Sequence, residues 1–153
     1  MLNNDLSQQI KRNFPYKPTE EQENAVKSFA EFLFSPSADS VFLMKGYAGT
    51  GKTTLTSALV RTLDSLQRKV ILLAPTGRAA KVFSGYAEHP AYTIHKKIYR
   101  QKVFSNETDN FVANQNLHRN TLFIVDEASM IANEGLSGGH FGSGRLLDEL
   151  VQY

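Results

Sequence analysis

The sequence predicts an α/β fold, with a largely parallel sheet flanked by helices. Three observations carry that expectation. Short apolar runs at Val41-Phe-Leu-Met44, Lys69 to Ala74 and Leu122-Phe-Ile-Val125 alternate with stretches of helical period. A glycine-rich turn joins the first run to a helix, and two adjacent carboxylates follow the last. Continuous apolar runs read as strands buried on both faces, and such strands belong to parallel sheets covered by helices. The 153 residues suit one domain.

Asp5 to Asn13 reads as a short helix with Leu6, Ile10 and Phe14 on one side, ended by Pro15. A second helix follows Thr19 and runs to about Phe34, where Ser35-Pro36 stops it, so residues 1–36 form a helical N-terminal segment. Val41 to Met44 is expected to be a short buried strand, followed by the glycine-rich turn and a helix from Lys52 to about Leu66. Lys69 to Ala74 is a second buried strand, Arg78 to about Tyr86 a helix, and another short helix follows Thr93. Tyr99 to Leu117 reads as a hairpin around the polar turn Asn106-Glu-Thr-Asp-Asn110. Leu122 to Val125 is the third buried strand. Five of the ten glycines fall in residues 135–144, a loop by composition, and an amphipathic helix begins at Arg145. No stop signal precedes Tyr153, which fits either a natural C-terminal helix or part of a longer protein.

Composition narrows the function. With no cysteine, a disulfide scaffold, a thiolate metal site and a cysteine nucleophile are excluded, and no second histidine sits at zinc-ligand spacing. No apolar run approaches a membrane span and the N-terminus lacks a signal pattern, so the expectation is a cytoplasmic protein without membrane partners. The net charge of +2 hides a segment, Gly77 to Arg119, with seven Lys/Arg against three acids. Six of the sixteen aromatics lie there too. Cations that track phosphates and rings that stack on bases suit single-stranded nucleic acid; a solvated charged face with rings turned into the core explains the same pattern.

Gly46-Tyr-Ala-Gly-Thr-Gly-Lys-Thr53 matches the phosphate-loop pattern G-x-x-x-x-G-K-[ST] at every fixed position. Glycines let the backbone curl until successive N–H groups of Gly46, Ala48, Gly49, Thr50, Gly51, Lys52, Thr53 and Thr54 can face phosphate oxygens, and the following helix adds its positive end. Lys52 is expected to reach the β and γ phosphates of ATP, and the Thr53 hydroxyl to ligate Mg²⁺. Asp126 and Glu127 close an apolar strand, at the sheet edge where open parallel sheets bind ligands. There Asp126 would hold Mg²⁺ and Glu127 would act as general base; a helix cap is the structural alternative. Thr19-Glu-Glu-Gln22 has the form of a capping box, while the Gln22 amide could also read the adenine edge. Thr76, with Arg78 and Lys81 after it, and Thr93, with His95 and Lys96, offer either helix caps or contacts to nucleic-acid phosphates.

These pieces, in this order, resemble the first ATPase domain of superfamily-1 DNA helicases, in particular the RecD-like and Dda-like group. The matching segments are Thr19 to Val26 (the Q motif), Gly46 to Thr54 (motif I), Ala74-Pro-Thr-Gly-Arg-Ala-Ala-Lys81 (motif Ia), Thr93-Ile-His95 (motif Ib) and Ile124-Val-Asp-Glu-Ala-Ser-Met130 (motif II), spanning residues 14–133. The resemblance implies a RecA-like P-loop NTPase sheet over residues 1–153, with adenine recognition by Gln22. It also implies single-strand backbone contacts by Thr76, Thr93 and His95, and a small hairpin insertion at about residues 99–117. The family continues with a Gln-Leu-Pro-Pro-type motif III and a second ATPase-like domain, neither of which is present in these residues. The strand leading to motif III normally lies between the phosphate-loop strand and the Asp126 strand. A sheet truncated before it has unpaired edges, so self-association of the isolated chain is expected, with deficient unwinding. The alternative function is a stand-alone nucleotide-binding regulatory module acting through protein partners.

Overall fold

A computed structural model describes residues 2–34, 40–101, 111–132 and 143–153. It divides into two compact units, Met1–Arg68 with Tyr86–Glu88, and Lys69–Gly85 with His89–Tyr153.

The first unit packs three helices: α1 (Leu2–Arg12), α2 (Glu20–Leu33) and α3 (Lys52–Ser65). Helix α1 packs against α2 and α3, and the buried apolar residues are Leu6 and Ile10 of α1, Phe14 after it, Val26, Phe29 and Ala30 of α2, and Leu59 and Leu63 of α3. Polar ties hold the helices in register: Lys11 Nζ donates to Glu23 at 2.6 Å, and Asn13 Nδ2 donates to Thr62 Oγ1 at 2.7 Å. The capping box at α2 is complete, because Gln22 N–H donates to Thr19 Oγ1 at 3.3 Å and Thr19 N–H donates to Gln22 Oε1 at 3.0 Å. Replacing Thr19 with alanine removes one of these bonds and is expected to cost about 1 kcal/mol of stability, read as a lower urea midpoint for helical circular dichroism.

Val41 to Met44 corrects the sequence expectation: the segment belongs to no strand ladder and is not buried. Phe42 and Met44 are half-buried, the Phe42 ring 5.6 Å from those of Phe29 and Phe32, while Val41 and Leu43 are 77% and 65% exposed. Hydropathy marks a segment able to form a strand, but a strand also requires a partner for its backbone N–H and C=O groups. Among the described residues none pairs with this one.

The second unit is built on a three-stranded parallel sheet. Its strands are β1 (Lys69–Ala74), β2 (Ala91–Thr93) and β5 (Thr121–Val125), in the order β2-β1-β5. Register aligns Leu73 with Tyr92 on one side and with Val125 on the other, so the carboxyl ends of all three strands share one edge. Helix α4 (Gly77–Ala87) connects β1 to β2. The central strand is deeply buried, with Leu72, Leu73 and Ala74 at 0% exposure. By contrast β5 is half-buried along its whole length, not fully buried as its apolar run predicts, because β1 alone pairs with it among the described residues.

The predicted hairpin is present as β3 (Tyr99–Gln101) paired antiparallel with β4 (Phe111–Ala113); its turn lies outside the described residues. The short helix α5 (Ile94–Ile98) and the C-terminal helix α6 (Leu146–Gln152) close the core, where Leu73, Ile94, Ile98, Tyr99 and Leu146 cluster with Leu150 and Phe123 against them. Tyr99 donates its hydroxyl to Glu149 and so ties α6 to the hairpin. The glycine-rich loop at 135–144 lies largely outside the described residues, as only Ser143 and Gly144 of it are described. No helix among the described residues is long and apolar enough to cross a membrane.

Candidate functional site

The loop Gly46–Thr53, which matches the phosphate-loop pattern, lies in the first unit, and two of its glycines have a local structural reason. Gly51 caps α3 from the left-handed region at φ +83°, a conformation side chains rarely adopt, and a Cβ there would collide with the Gln22 amide nitrogen. Gly46 has no room for a Cβ either, since one would lie 2.7 Å from Thr50 Oγ1. No side chain caps the N-terminus of α3. The amides of a helix start therefore meet no competing protein oxygen from a cap, which is the condition an anion site needs.

Lys52 is folded back on the loop, its Nζ donating to the carbonyls of Gly46 at 2.6 Å and Tyr47 at 2.9 Å. Thr50 Oγ1 also donates to the Tyr47 carbonyl, at 2.8 Å. The ammonium thus rests within the curl of the loop. Ala48 and Gly49 form its exposed turn, Thr53 is exposed at the first turn of α3, and the Thr54 hydroxyl accepts from Tyr16 Oη at 3.2 Å. Gln22 reaches the same place, its Nε2 donating to the Thr50 carbonyl at 3.2 Å. This donor set fits a triphosphate with a hard divalent cation: one ammonium, uncapped helix amides and an accessible hydroxyl. The structure therefore brings Gln22, Gly46, Thr50, Gly51, Lys52 and Thr54 together, and adds Tyr16, which sequence reasoning missed. Its only sequence signal is position, a tyrosine between two prolines just before a capping box.

The other candidates lie in the second unit, at the carboxyl edge of its sheet. Asp126 directly follows β5, and its N–H continues the ladder by donating to the Leu73 carbonyl at 3.0 Å. Glu127 is exposed and held at φ +53°, a conformation that a non-glycine residue adopts at an energetic cost. Its side chain makes no cap to the 3-10 turn Ala128–Met130, so the helix-cap alternative for this acid does not hold.

For the two threonines, the capping alternative is realised. Thr76 Oγ1 accepts from Ala79 N–H at 3.2 Å at the start of α4, and Thr93 Oγ1 accepts from Lys96 N–H at 3.2 Å at the start of α5. Arg78, Lys81 and Lys96 are exposed. His95 is half-buried with its ring 5.7 Å from that of Tyr99; burial pushes its pKa down, and the nearby Glu149 carboxylate only partly offsets this. A neutral imidazole is a weaker phosphate partner than the cation the basic segment implies. Most described rings of that segment face inward: Phe83 and Tyr99 are buried and Phe111 packs on the core. Tyr92 is the outward one, 40% exposed, with Lys97 Nζ 5.8 Å from its centroid.

A family model described as "AAA domain" matches residues 17–138. The multifunctional conjugation protein TraI of Escherichia coli K12 is 32% identical over 107 residues, 65% of this chain and 6% of that protein. The ATP-dependent DNA helicase dda of Enterobacteria phage T4 is 37% identical over 90 residues, 57% of this chain and 20% of that protein. The chain thus spans only a small part of the length of either relative. The matched span holds both the Gly46–Thr53 loop and the Asp126-Glu127 edge, and the chain belongs to the AAA domain family.

Proposed function

We propose that this chain is the ATP- and Mg²⁺-binding part of a DNA helicase that couples hydrolysis to movement along single-stranded DNA. The observation that carries this reading is the curled loop with Lys52 at its centre and an uncapped helix behind it. In this reading Lys52 leaves the Gly46 and Tyr47 carbonyls for the β and γ phosphates, and the amides from Ala48 to Thr54 share their negative charge. Thr53 and Asp126 would hold Mg²⁺, which when bound neutralises charge on the phosphates. Glu127 would take the proton of the attacking water. Asp126 and Glu127 receive these roles from the family resemblance and from their position at the carboxyl edge of the sheet.

Hydrolysis coupled to movement needs two domains that close on the nucleotide, so a second ATPase domain in the full-length protein completes the motor. The 153-residue chain alone is expected to bind ATP, hydrolyse it poorly and not unwind DNA. ATP hydrolysis by the full-length protein should rise when single-stranded DNA is added. Hydrolysis indifferent to DNA would favour the alternative, a nucleotide switch acting on protein partners.

Single-strand contact is assigned to Thr76, Arg78, Lys81, Thr93, His95 and Lys96. Arg78, Lys81 and Lys96 supply its cations, and Tyr92 offers a stacking ring. Binding of a fluorescent oligonucleotide should weaken with salt at a log–log slope of about −0.7 per phosphate neutralised. Salt-independent binding, or none, would remove the nucleic-acid part of the reading.

A further inference from the structure

Tyr16 is an exposed ring that is nonetheless held in place. It lies in the α1–α2 connection between Pro15 and Pro18, where both prolines restrict the backbone, and 52% of its surface is open. The buried Phe14 meets it at 73° with ring centroids 6.5 Å apart, an edge contact that anchors the ring without stacking on it. At the far end its hydroxyl donates to Thr54 Oγ1 at 3.2 Å. A lone exposed aromatic is ordinary on a protein surface, but this one stands beside both the loop and Gln22. A Cβ on Gly51 would collide with the Gln22 amide nitrogen and would lie 3.7 Å from Tyr16 Oη, so amide and phenol converge on the N-cap of α3. The Gln22 carboxamide holds one bond at its oxygen, from Thr19 N–H, and one at its nitrogen, to the Thr50 carbonyl. One acceptor site and one donor N–H are left for a ligand.

We propose that Tyr16 is a base-contact residue, whose ring forms one wall of the nucleoside subsite and stacks on the purine whose edge meets Gln22. The inference rests on the phosphate-loop reading above and on the adenine contact that the family resemblance implies for Gln22. A nucleotide with its triphosphate on the loop and its base edge at that amide carries the base past Tyr16, because the phenol is tied to the first turn of the same helix. Stacking tolerates any base, since every base has a π face, so Tyr16 supplies affinity for a base and Gln22 the choice among bases. The two prolines, the Phe14 edge and the Thr54 bond fix the ring before a ligand arrives, which lowers the ordering cost of the stack. The hydroxyl makes the tie and the ring makes the stack, so substitution separates the two contributions.

The test is calorimetric titration of the 153-residue chain with Mg·ATP and with Mg·tripolyphosphate, which has no base at all. Each variant is checked for native circular dichroism. Tyr16→Leu removes the ring; Tyr16→Phe keeps the ring and removes only the hydroxyl. Tyr16→Leu is expected to weaken Mg·ATP about tenfold, the worth of one base–aromatic stack, and to leave Mg·tripolyphosphate unchanged. Tyr16→Phe should keep most of the Mg·ATP affinity that Tyr16→Leu loses. The chain has no tryptophan, so Tyr16→Trp places a single indole at the site. Saturating Mg·ATP should quench its fluorescence, and saturating Mg·tripolyphosphate should not. An equal loss of both ligands in Tyr16→Leu would make Tyr16 a support of the loop and overturn the base contact. A loss in Tyr16→Phe as large as in Tyr16→Leu would assign the effect to the hydroxyl and overturn it too. So would undiminished Mg·ATP binding in Tyr16→Leu, or indole emission indifferent to Mg·ATP. Should Tyr16→Leu fail to fold, Tyr16→Trp decides by itself. A wild-type chain that binds both ligands equally tightly has no base subsite, which overturns this inference and leaves the loop reading standing. Failure of the wild-type chain to bind either ligand would instead overturn the phosphate-loop reading, and this inference with it.

Discussion

Lys52→Ala is expected to abolish binding of a fluorescent ATP analogue at concentrations that saturate the wild-type chain. Lys52 is the single cation within the described loop, and its Nζ already occupies the curl between the Gly46 and Tyr47 carbonyls. A hydrogen bond to a charged group contributes about 1.5–3 kcal/mol, and two such bonds to phosphate oxygens would raise Kd by roughly two to four orders of magnitude on removal. The substitution should not disturb the fold. The carbonyls it releases are at an exposed loop and can turn to water, while alanine is a good residue for the first turn of α3. Fluorescence titration of both proteins, with matched thermal melts, checks the point. Unchanged affinity would remove the phosphate-loop assignment.

The second large effect concerns association of the chain with itself. Val41 and Leu43 expose 77% and 65% of their surface on one side of an extended segment whose other side, through Phe42, is seated on α2. Burying an aliphatic side chain of this size contributes roughly 1.5–3 kcal/mol, and pairing with a second strand would also satisfy the backbone groups of residues 41–44. Strand β5 has the same character, paired among the described residues by β1 alone and half-buried throughout. Sedimentation of the 153-residue chain should therefore show self-association that grows with concentration, and heating should give a broad rather than a sharp transition. Val41→Lys combined with Leu43→Lys places two like charges on the exposed side and should shift the chain toward monomer. A monomeric chain with a cooperative melt and ordinary small-domain stability would contradict this.

What the sequence made legible was local chemistry. The capping box at Thr19 and Gln22, and the caps that were one of two readings for Thr76 and Thr93, each depend on residues within one turn of each other. The six helices among the described residues and the positions of β1 and β5 were legible from local pattern for the same reason. The failures share a different cause. Val41 to Met44 has the apolar content of a strand, but its state is decided by whether another segment supplies a ladder, which hydropathy does not record. Residues 91–93, too short and too polar to stand out, become β2 because Leu72 to Ala74 pairs with them. The burial of β5 was overestimated on the same ground, since an apolar run reports what a strand can bury and not how many neighbours it has.

The candidate site divides in the same way. The Gly46–Thr53 pattern was visible because its glycines and lysine are contiguous, whereas Tyr16 reaches Thr54 across 38 positions and no spacing rule connects them. Gln22 was readable as a cap; its bond to Thr50, 28 positions away, was not. The basic, aromatic segment shows the limit of composition, because Phe83 and Tyr99 serve the core while only Tyr92 among its described rings is turned outward.

The central claim is that the loop from Gly46 to Thr53 wraps a triphosphate around Lys52. The most direct measurement is a crystal structure of the chain with a non-hydrolysable ATP analogue and Mg²⁺. The account predicts that Lys52 Nζ has left the Gly46 and Tyr47 carbonyls and lies about 2.7–3.2 Å from oxygens of the β and γ phosphates, with the first amides of α3 on the same phosphates. A nucleotide bound elsewhere, with Lys52 still donating to those two carbonyls, would contradict it.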